Sequence, residues 1–435
     1  MEKISRRGLL KGAVIAGVAG ATGAWWLNAG QTPKEALDNM FNDALTDLPA
    51  ASISAALIKN GQMVWGKGFG YQNLDSGVPA TLDSIWPSLG SVSKLITWTA
   101  LMQLVENGKV DLHGDVSGYF GFPLRNPDYP ETPITPYHLL THSSSLSTRR
   151  MTSAPDSMAD FFCSAEGGTL KDWVDTNIAP DGLKTDLKKV FDPYRPGDFP
   201  QLTADPLGVI SGYSNLNAMV AAYLIEQVSQ MSFESYTRRF IFEPISATDM
   251  AWTTSTLDQQ RLITPYEAKR SPRTPVMAVY TNTMREKGYL SSVEVQMNRD
   301  EAYYAFTQCE YDSPFNAAGL LGSSTVSLVS FLCAFLPSNH AAQPLLKVET
   351  MQQLWQMQRL DPLTGSAIGL GWFRFPWGRN EVFWGHDGGG PGILSRVMID
   401  PYSGDGLVLL LNNFFIDFRK RAALLDQLVK MLKKF

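Results

Sequence analysis

The strand-forming segments of this 435-residue chain sit at its two ends, and that distribution limits the folds open to it more than any other feature. Near the start, Ala51 to Ile58 and Gln62 to Tyr71 are rich in β-forming residues and are joined through Asn60-Gly61, the strongest short-range hairpin signal. Near the end, Ile368 to Phe375, Glu381 to Trp384, Leu394 to Asp400 and Leu407 to Asn412 read as strands separated by Gly/Pro turns, before a closing helix from Phe418 to Phe435. Helical patterns fill the rest: Pro33 to Thr46, a buried-type helix starting at Ser91, Pro136 to Thr141, Leu170 to Asn177, Leu216 to Gln230 and Val326 to Leu336. Strands at both termini with helices between them predict an α+β fold, one antiparallel sheet assembled from the chain ends with a mostly helical lobe inserted. The lobe carrying the sheet is expected over about 31–95 and 315–435, and the insert over about 96–314.

A composition of 44% hydrophobic and 18% charged residues is that of a globular chain with a sizeable core. Thirty-seven basic residues against 42 acidic ones, net −5, provide no positive field for nucleic acid. Three widely spaced cysteines, Cys163, Cys309 and Cys333, form neither a disulfide framework nor a metal motif and are simplest as small core residues. Residues 1–30 combine Arg6-Arg7 with an uncharged Gly/Ala/Val run ending in Trp25-Trp26, which resembles a bacterial twin-arginine export signal. The expectation is export by that machinery to the periplasm, with Ala24 or Ala29 before a cleavage point or the segment kept as an N-terminal membrane anchor.

Three clusters carry chemistry. In Ser91-Val92-Ser93-Lys94 the i and i+3 positions share one helix face, which sets an amine beside an alcohol in a first turn whose free N–H groups favour negative charge. Tyr213-Ser214-Asn215 lies at the mouth of a helix; a phenol and an amide share one side of a cleft if the segment is extended, while helix capping by Asn215 and anchoring by Tyr213 explain the same residues. His386-Asp387-Gly388-Gly389-Gly390-Pro391-Gly392 follows a strand, where glycines admit a ligand close to the backbone or simply form a hairpin turn.

In this order, S-x-x-K, Y-x-N and H-x-G, the clusters resemble the serine β-lactamase-like family, in particular its class C β-lactamase, D-aminopeptidase, D,D-carboxypeptidase and esterase group. Supporting segments include Leu104 to Leu112, Ile134 to Leu146, Phe242-Glu243-Pro244-Ile245, Ala318-Gly319-Leu320 and Gly369-Leu370-Gly371-Trp372. The resemblance implies a β-lactamase/transpeptidase-like fold and acyl transfer without metal or cofactor. Ser91 would be the nucleophile, with Lys94 and Tyr213 sharing the proton work. The backbone N–H groups of Ser91 and Gly389, with Gly388 beside them, would hold the oxyanion; Asn215 would hold Lys94 or the substrate amide, and His386 would face the leaving side.

The third cluster has His386 where class C β-lactamases carry the lysine of K-T-G, and a neutral histidine is a poor anchor for a substrate carboxylate. A peptidase or esterase acting on an amide, ester or D-amino-acid peptide is therefore expected ahead of a β-lactamase. A weak class C-like β-lactamase, or a penicillin-binding or sensor protein without turnover, is the alternative. Ser143-Ser144-Ser145-Leu146 also departs from the family's Thr-x-Ser-Gly-Leu. His138 and His142 have zinc-ligand spacing but lack the accompanying glutamate and a third ligand, so both are read as structural. Trp86, Trp98, Trp372 and Trp384 fit either an apolar acyl pocket or the core.

Overall fold

The computed structural model describes residues 31–148, 170–177, 190–198, 212–268, 286, 291–293, 303–306, 316–337, 344–361, 365–378, 381–414 and 416–435. The export segment read over residues 1–30, Cys163 and Cys309 lie outside these described residues. In chain order the elements that build the site are α1 (Pro33–Asp47), β1 (Ser52–Lys59), β2 (Gln62–Asn73), β3 (Val78–Pro79), α2 (Lys94–Glu106), α3 (Pro136–Leu140), α4 (Asn215–Ser229), α5 (Asn316–Gly319) and α6 (Thr325–Cys333). They are followed by β4 (Arg359–Leu360), β5 (Ala367–Ile368), β6 (Phe373–Trp377), β7 (Glu381–Gly390), β8 (Ile393–Asp400), β9 (Asp405–Asn412) and α7 (Phe418–Leu432).

These nine strands form one antiparallel sheet in the order β3-β2-β1-β9-β8-β7-β6-β5-β4, separate from two small sheets made by Ile85–Trp86 with Ser323–Ser324 and by Tyr266–Ala268, Tyr303–Ala305 and Ser291–Val293. Every neighbour in the nine-stranded sheet is also a chain neighbour except β1 and β9, which pair from Ile53↔Leu411 to Ile58↔Gly406 and so join the two ends of the chain. β1 is buried along seven of its eight residues because both faces are covered. Its alternation feeds two cores: Ile53, Ala55 and Leu57 pack with α1 and α7, whereas Ala56 and Ile58 face α2, α4 and α6. β8 and β9 divide in the same way, with Val397 and Val408 on the second side and Met398 and Leu409 on the first. The result is a helix–sheet–helix sandwich with the central sheet shielded from water on both faces.

Three expected elements differ. The strand read over Ile368 to Phe375 is a hairpin, β5 and β6, turned by Gly369-Leu370-Gly371, where Gly371 has φ +81°. The glycines of the third cluster do not leave the sheet: β7 runs on through Gly390, and the chain turns at Pro391-Gly392. The α-helix expected from Ser91 begins at Lys94, after a 3₁₀ turn over Gly90–Ser93. Among the described residues no helix is long and apolar enough to cross a membrane. Cys333 is a free thiol, half-buried against the larger core.

Candidate active site

Ser91 rides on the 3₁₀ turn that precedes α2, and this turn packs backbone to backbone on β7. At Gly388 a Cβ would lie 2.1 Å from the Leu89 carbonyl oxygen and 3.1 Å from the Ser91 nitrogen. Only glycine permits that approach, which brings the amides of Ser91 and Gly389 together at one end of the turn. Ser395 Oγ, from β8, donates to the Leu89 carbonyl at 2.6 Å and fixes the turn from the other side.

Lys94 is fully buried although it is the first residue of α2. Its Nζ donates to Ser91 Oγ at 2.9 Å and to the Ala318 carbonyl of α5. Both partners are neutral, so burial acts unopposed and holds the lysine well below its ordinary pKa of 10.5. The free amine is thereby favoured beside the hydroxyl.

Tyr213 and Asn215 enter from the start of α4. Ser214, not Asn215, is the N-cap: its hydroxyl accepts from Leu216 N, and Asn215 is the first helical residue. The Lys94 Nζ stands 5.2 Å from the centre of the Tyr213 ring. Burial raises the Tyr213 pKa above 10.0, partly offset by the Ser91 hydroxyl. That hydroxyl acts on Tyr213 without a hydrogen bond of ordinary geometry, for Tyr213 Oη is buried and has no hydrogen-bond partner among the described residues. His386, 3% exposed on β7, completes this side with its ring 6.1 Å from that of Tyr213 and edge-on to Phe373 at 4.9 Å. Burial, reinforced by Lys94, pushes the His386 pKa down to about 4, so the imidazole is neutral at pH 7.

The fold adds His142, for which the sequence alone supports only a structural part. Its ring packs 4.3 Å from the Tyr213 ring and 5.9 Å from that of Trp98. Burial first, then the Lys94 charge, lowers its pKa. The zinc spacing has no counterpart in space: His138 Nδ1 accepts from Thr135 N while His142 Nδ1 is taken by Ser214 N, and no metal-ligating cluster occurs among the described residues. Because the His142–Ser214 hydrogen bond joins positions 72 apart, no local pattern announces it.

Ser91, Lys94, Tyr213, His386, Gly388 and Gly389 therefore converge, while Asn215 is placed only by its backbone, as the first residue of α4 with its amide on Thr148 Oγ1. Asp387 does not join them: it faces the opposite side of β7, where Arg396 and Arg421 pair with its carboxylate. Trp86, Trp98, Trp372 and Trp384 are buried core residues. Among the described residues, four buried polar atoms on the converging and adjoining side chains, Tyr213 Oη, Asn215 Oδ1, His142 Nε2 and His386 Nε2, have no hydrogen-bond partner. Such atoms are rare in folded proteins, and their grouping describes a site built to receive a polar group.

A family model described as Beta-lactamase matches residues 37–430. The chain is 28% identical over 197 residues to the putative penicillin-binding protein PbpX of Bacillus subtilis, covering 45% of this chain and 40% of that protein. It is 31% identical over 111 residues to esterase EstB of Burkholderia gladioli, covering 25% and 28% respectively. These matches span less than half the length of either curated relative. The D-amino acid amidase of Ochrobactrum anthropi SV3, solved in complex with L-phenylalanine amide, superposes with a TM-score of 0.69 at 21% identity, covering 92% of this chain and 99% of the amidase. At that identity the likeness establishes the fold, which is the β-lactamase/transpeptidase-like α+β architecture expected from the three clusters.

Proposed function

The chain belongs to the beta-lactamase family, and from that premise we propose that it is a serine hydrolase that cleaves an amide or ester through an acyl-enzyme. The carrying observation is a serine hydrogen-bonded to a buried lysine with a depressed pKa, with the Tyr213 ring 5.2 Å from that lysine's Nζ and the neutral His386 ring beside Tyr213. Neutral Lys94 takes the Ser91 proton as Oγ attacks the carbonyl carbon, and the amides of Ser91 and Gly389 receive the oxyanion. One such donor is typically worth about 3 kcal/mol of barrier. The opposed shifts favour a division of labour: Lys94 is the base, and Tyr213, held protonated by burial, delivers the proton to the leaving atom. Water then hydrolyses the acyl-enzyme with the same groups in reverse order.

His386 supports amide or ester hydrolysis over β-lactam destruction, since a neutral imidazole in place of a lysine gives a substrate carboxylate no charge to pair with. The amidase and esterase among the similar proteins fit that reading. Residues 1–30 support export through the twin-arginine route, to the periplasm or to its membrane surface. Profiling small esters, D-aminoacyl amides, D-Ala-D-Ala peptides and β-lactams against the wild type and Ser91→Ala tests the proposal. Turnover of an ester or amide that disappears with Ser91→Ala supports it; equal turnover by both proteins refutes it.

A further inference from the structure

We propose that His142 is a positioning residue that aims the Tyr213 phenol at the leaving atom of the substrate. The inference rests on the reading of Ser91 as nucleophile and Tyr213 as proton donor, and adds to it a residue that touches neither Ser91 nor Lys94 by hydrogen bond.

The network around His142 anchors its ring through Nδ1. Ser214 N donates to Nδ1 at 3.3 Å, and a backbone N–H has no other role to play. Asn217 Oδ1 accepts from Ser144 Oγ, which turns the Asn217 amide nitrogen toward His142, where it donates to the same Nδ1 at 2.9 Å. Nδ1 is thus an acceptor, and the proton of the neutral ring sits on Nε2, a buried atom without a partner among the described residues. The ring is held flat enough against Tyr213, 32° between planes at 4.3 Å, to leave the phenol little freedom to swing.

The backbone beneath it is strained in the same cause. His142 has φ +52° and Ser145 has φ +67°, left-handed values that non-glycine residues avoid and that collect at functional sites. Buried Arg359, reaching in from β4 at the far edge of the sheet, clamps this turn by donating from Nη1 to the Thr141 carbonyl at 3.1 Å and the His142 carbonyl at 2.6 Å. The Ser214 amide that His142 grips is the next residue after Tyr213, so the grip sets the height of the phenol as the ring contact sets its tilt.

In the step concerned, the C–N or C–O bond of the tetrahedral intermediate breaks and its electron pair takes the proton from Tyr213 Oη. That oxygen is reprotonated by the Lys94 ammonium, which received the Ser91 proton at the start. Misaiming Tyr213 therefore slows departure of a basic leaving group and leaves nitrophenolate, which departs without a proton, almost untouched.

The experiment compares p-nitrophenyl acetate with ethyl acetate on wild type, His142→Phe and His142→Asn. The phenylalanine keeps a ring but not the acceptor; the asparagine keeps an acceptor and tolerates the left-handed backbone but has no ring. Because both substrates are read on one preparation, the ratio of their rates cancels any loss of folded protein. Both variants are expected to lose roughly 10- to 100-fold in kcat/KM, which reports acylation and not the deacylation step the two esters share, on ethyl acetate and less than about threefold on p-nitrophenyl acetate. An equal fall on both esters overturns the positioning role. Absence of Ser91-dependent turnover in the wild type instead removes the functional reading itself, and the inference falls with it.

Discussion

Gly90→Ala probes the contact on which the site depends. Gly90 has φ +52°, and a Cβ there would sit 2.3 Å from the Gly389 nitrogen and 2.8 Å from its carbonyl oxygen. Ordinary contact begins at 3.4 Å, so the Ser91 turn and β7 must separate by about 1 Å (3.4 less 2.3) or the backbone must twist. Left-handed backbone costs a non-glycine residue about 1–2 kcal/mol, and forcing a methyl into a packed contact about 1–3 kcal/mol more. The variant should be less stable by roughly 2–5 kcal/mol. Opening the gap by that distance spreads the Ser91 and Gly389 amides, and displacements of about 1 Å at a reacting centre cost on the order of 100-fold in rate. Gly108→Ala is the control: its φ is +67°, but nothing lies within 4 Å of the added methyl, so it carries backbone strain alone. Urea unfolding and the pre-steady-state acylation rate with p-nitrophenyl acetate, normalised to folded protein, separate the two effects. Both variants should lose stability, and only Gly90→Ala should lose acylation. A Gly90→Ala protein acylated within threefold of the wild type would refute the claim that this backbone contact sets the oxyanion site.

The free amine of Lys94 is the active form, so kcat/KM should climb with pH through a pKa far below 10.5 and fall only above 10.0, where Tyr213 loses its proton; a rise centred near 10.5 in the pH profile would contradict the buried, neutral lysine. His386 takes its proton near 6.5 when unfolded and at about 4 when folded, so lowering the pH through that window favours the unfolded chain by roughly 3 kcal/mol. His138, also pushed down to about 4 by burial, adds to the same acid lability. Urea unfolding at pH 7 and pH 4.5 should show the loss, and His386→Gln should remove much of it. Nitrocefin should be turned over weakly or not at all; rapid hydrolysis at low enzyme concentration would show that His386 does not steer the site away from β-lactams.

The sheet was legible because its strands declare themselves locally, through Asn60-Gly61 and through apolar runs such as Leu407 to Leu411. The Ser91–Lys94 pair was legible for a similar reason, since three residues of one turn bring it together. What failed locally was decided by distant packing. Glycines from Gly388 to Gly390 suggest a turn, yet they continue β7, because a bare backbone is what lets the Ser91 turn lie against the strand. Ser214 and not Asn215 caps α4 because Thr148, also across the fold, shares a hydrogen bond with the Ser214 hydroxyl and accepts the Asn215 amide proton. His142 was invisible as a site residue because its meaning lies in Ser214, Asn217 and the Tyr213 ring, all far along the chain.

Treatment with a fluorophosphonate, followed by digestion and mass analysis of the peptides, reads the central claim most directly. A single adduct on Ser91, absent from Ser91→Ala and formed far more slowly by Lys94→Met, is the expected result. An adduct on another residue, or equal labelling of Ser91→Ala, would show that Ser91 is not the nucleophile.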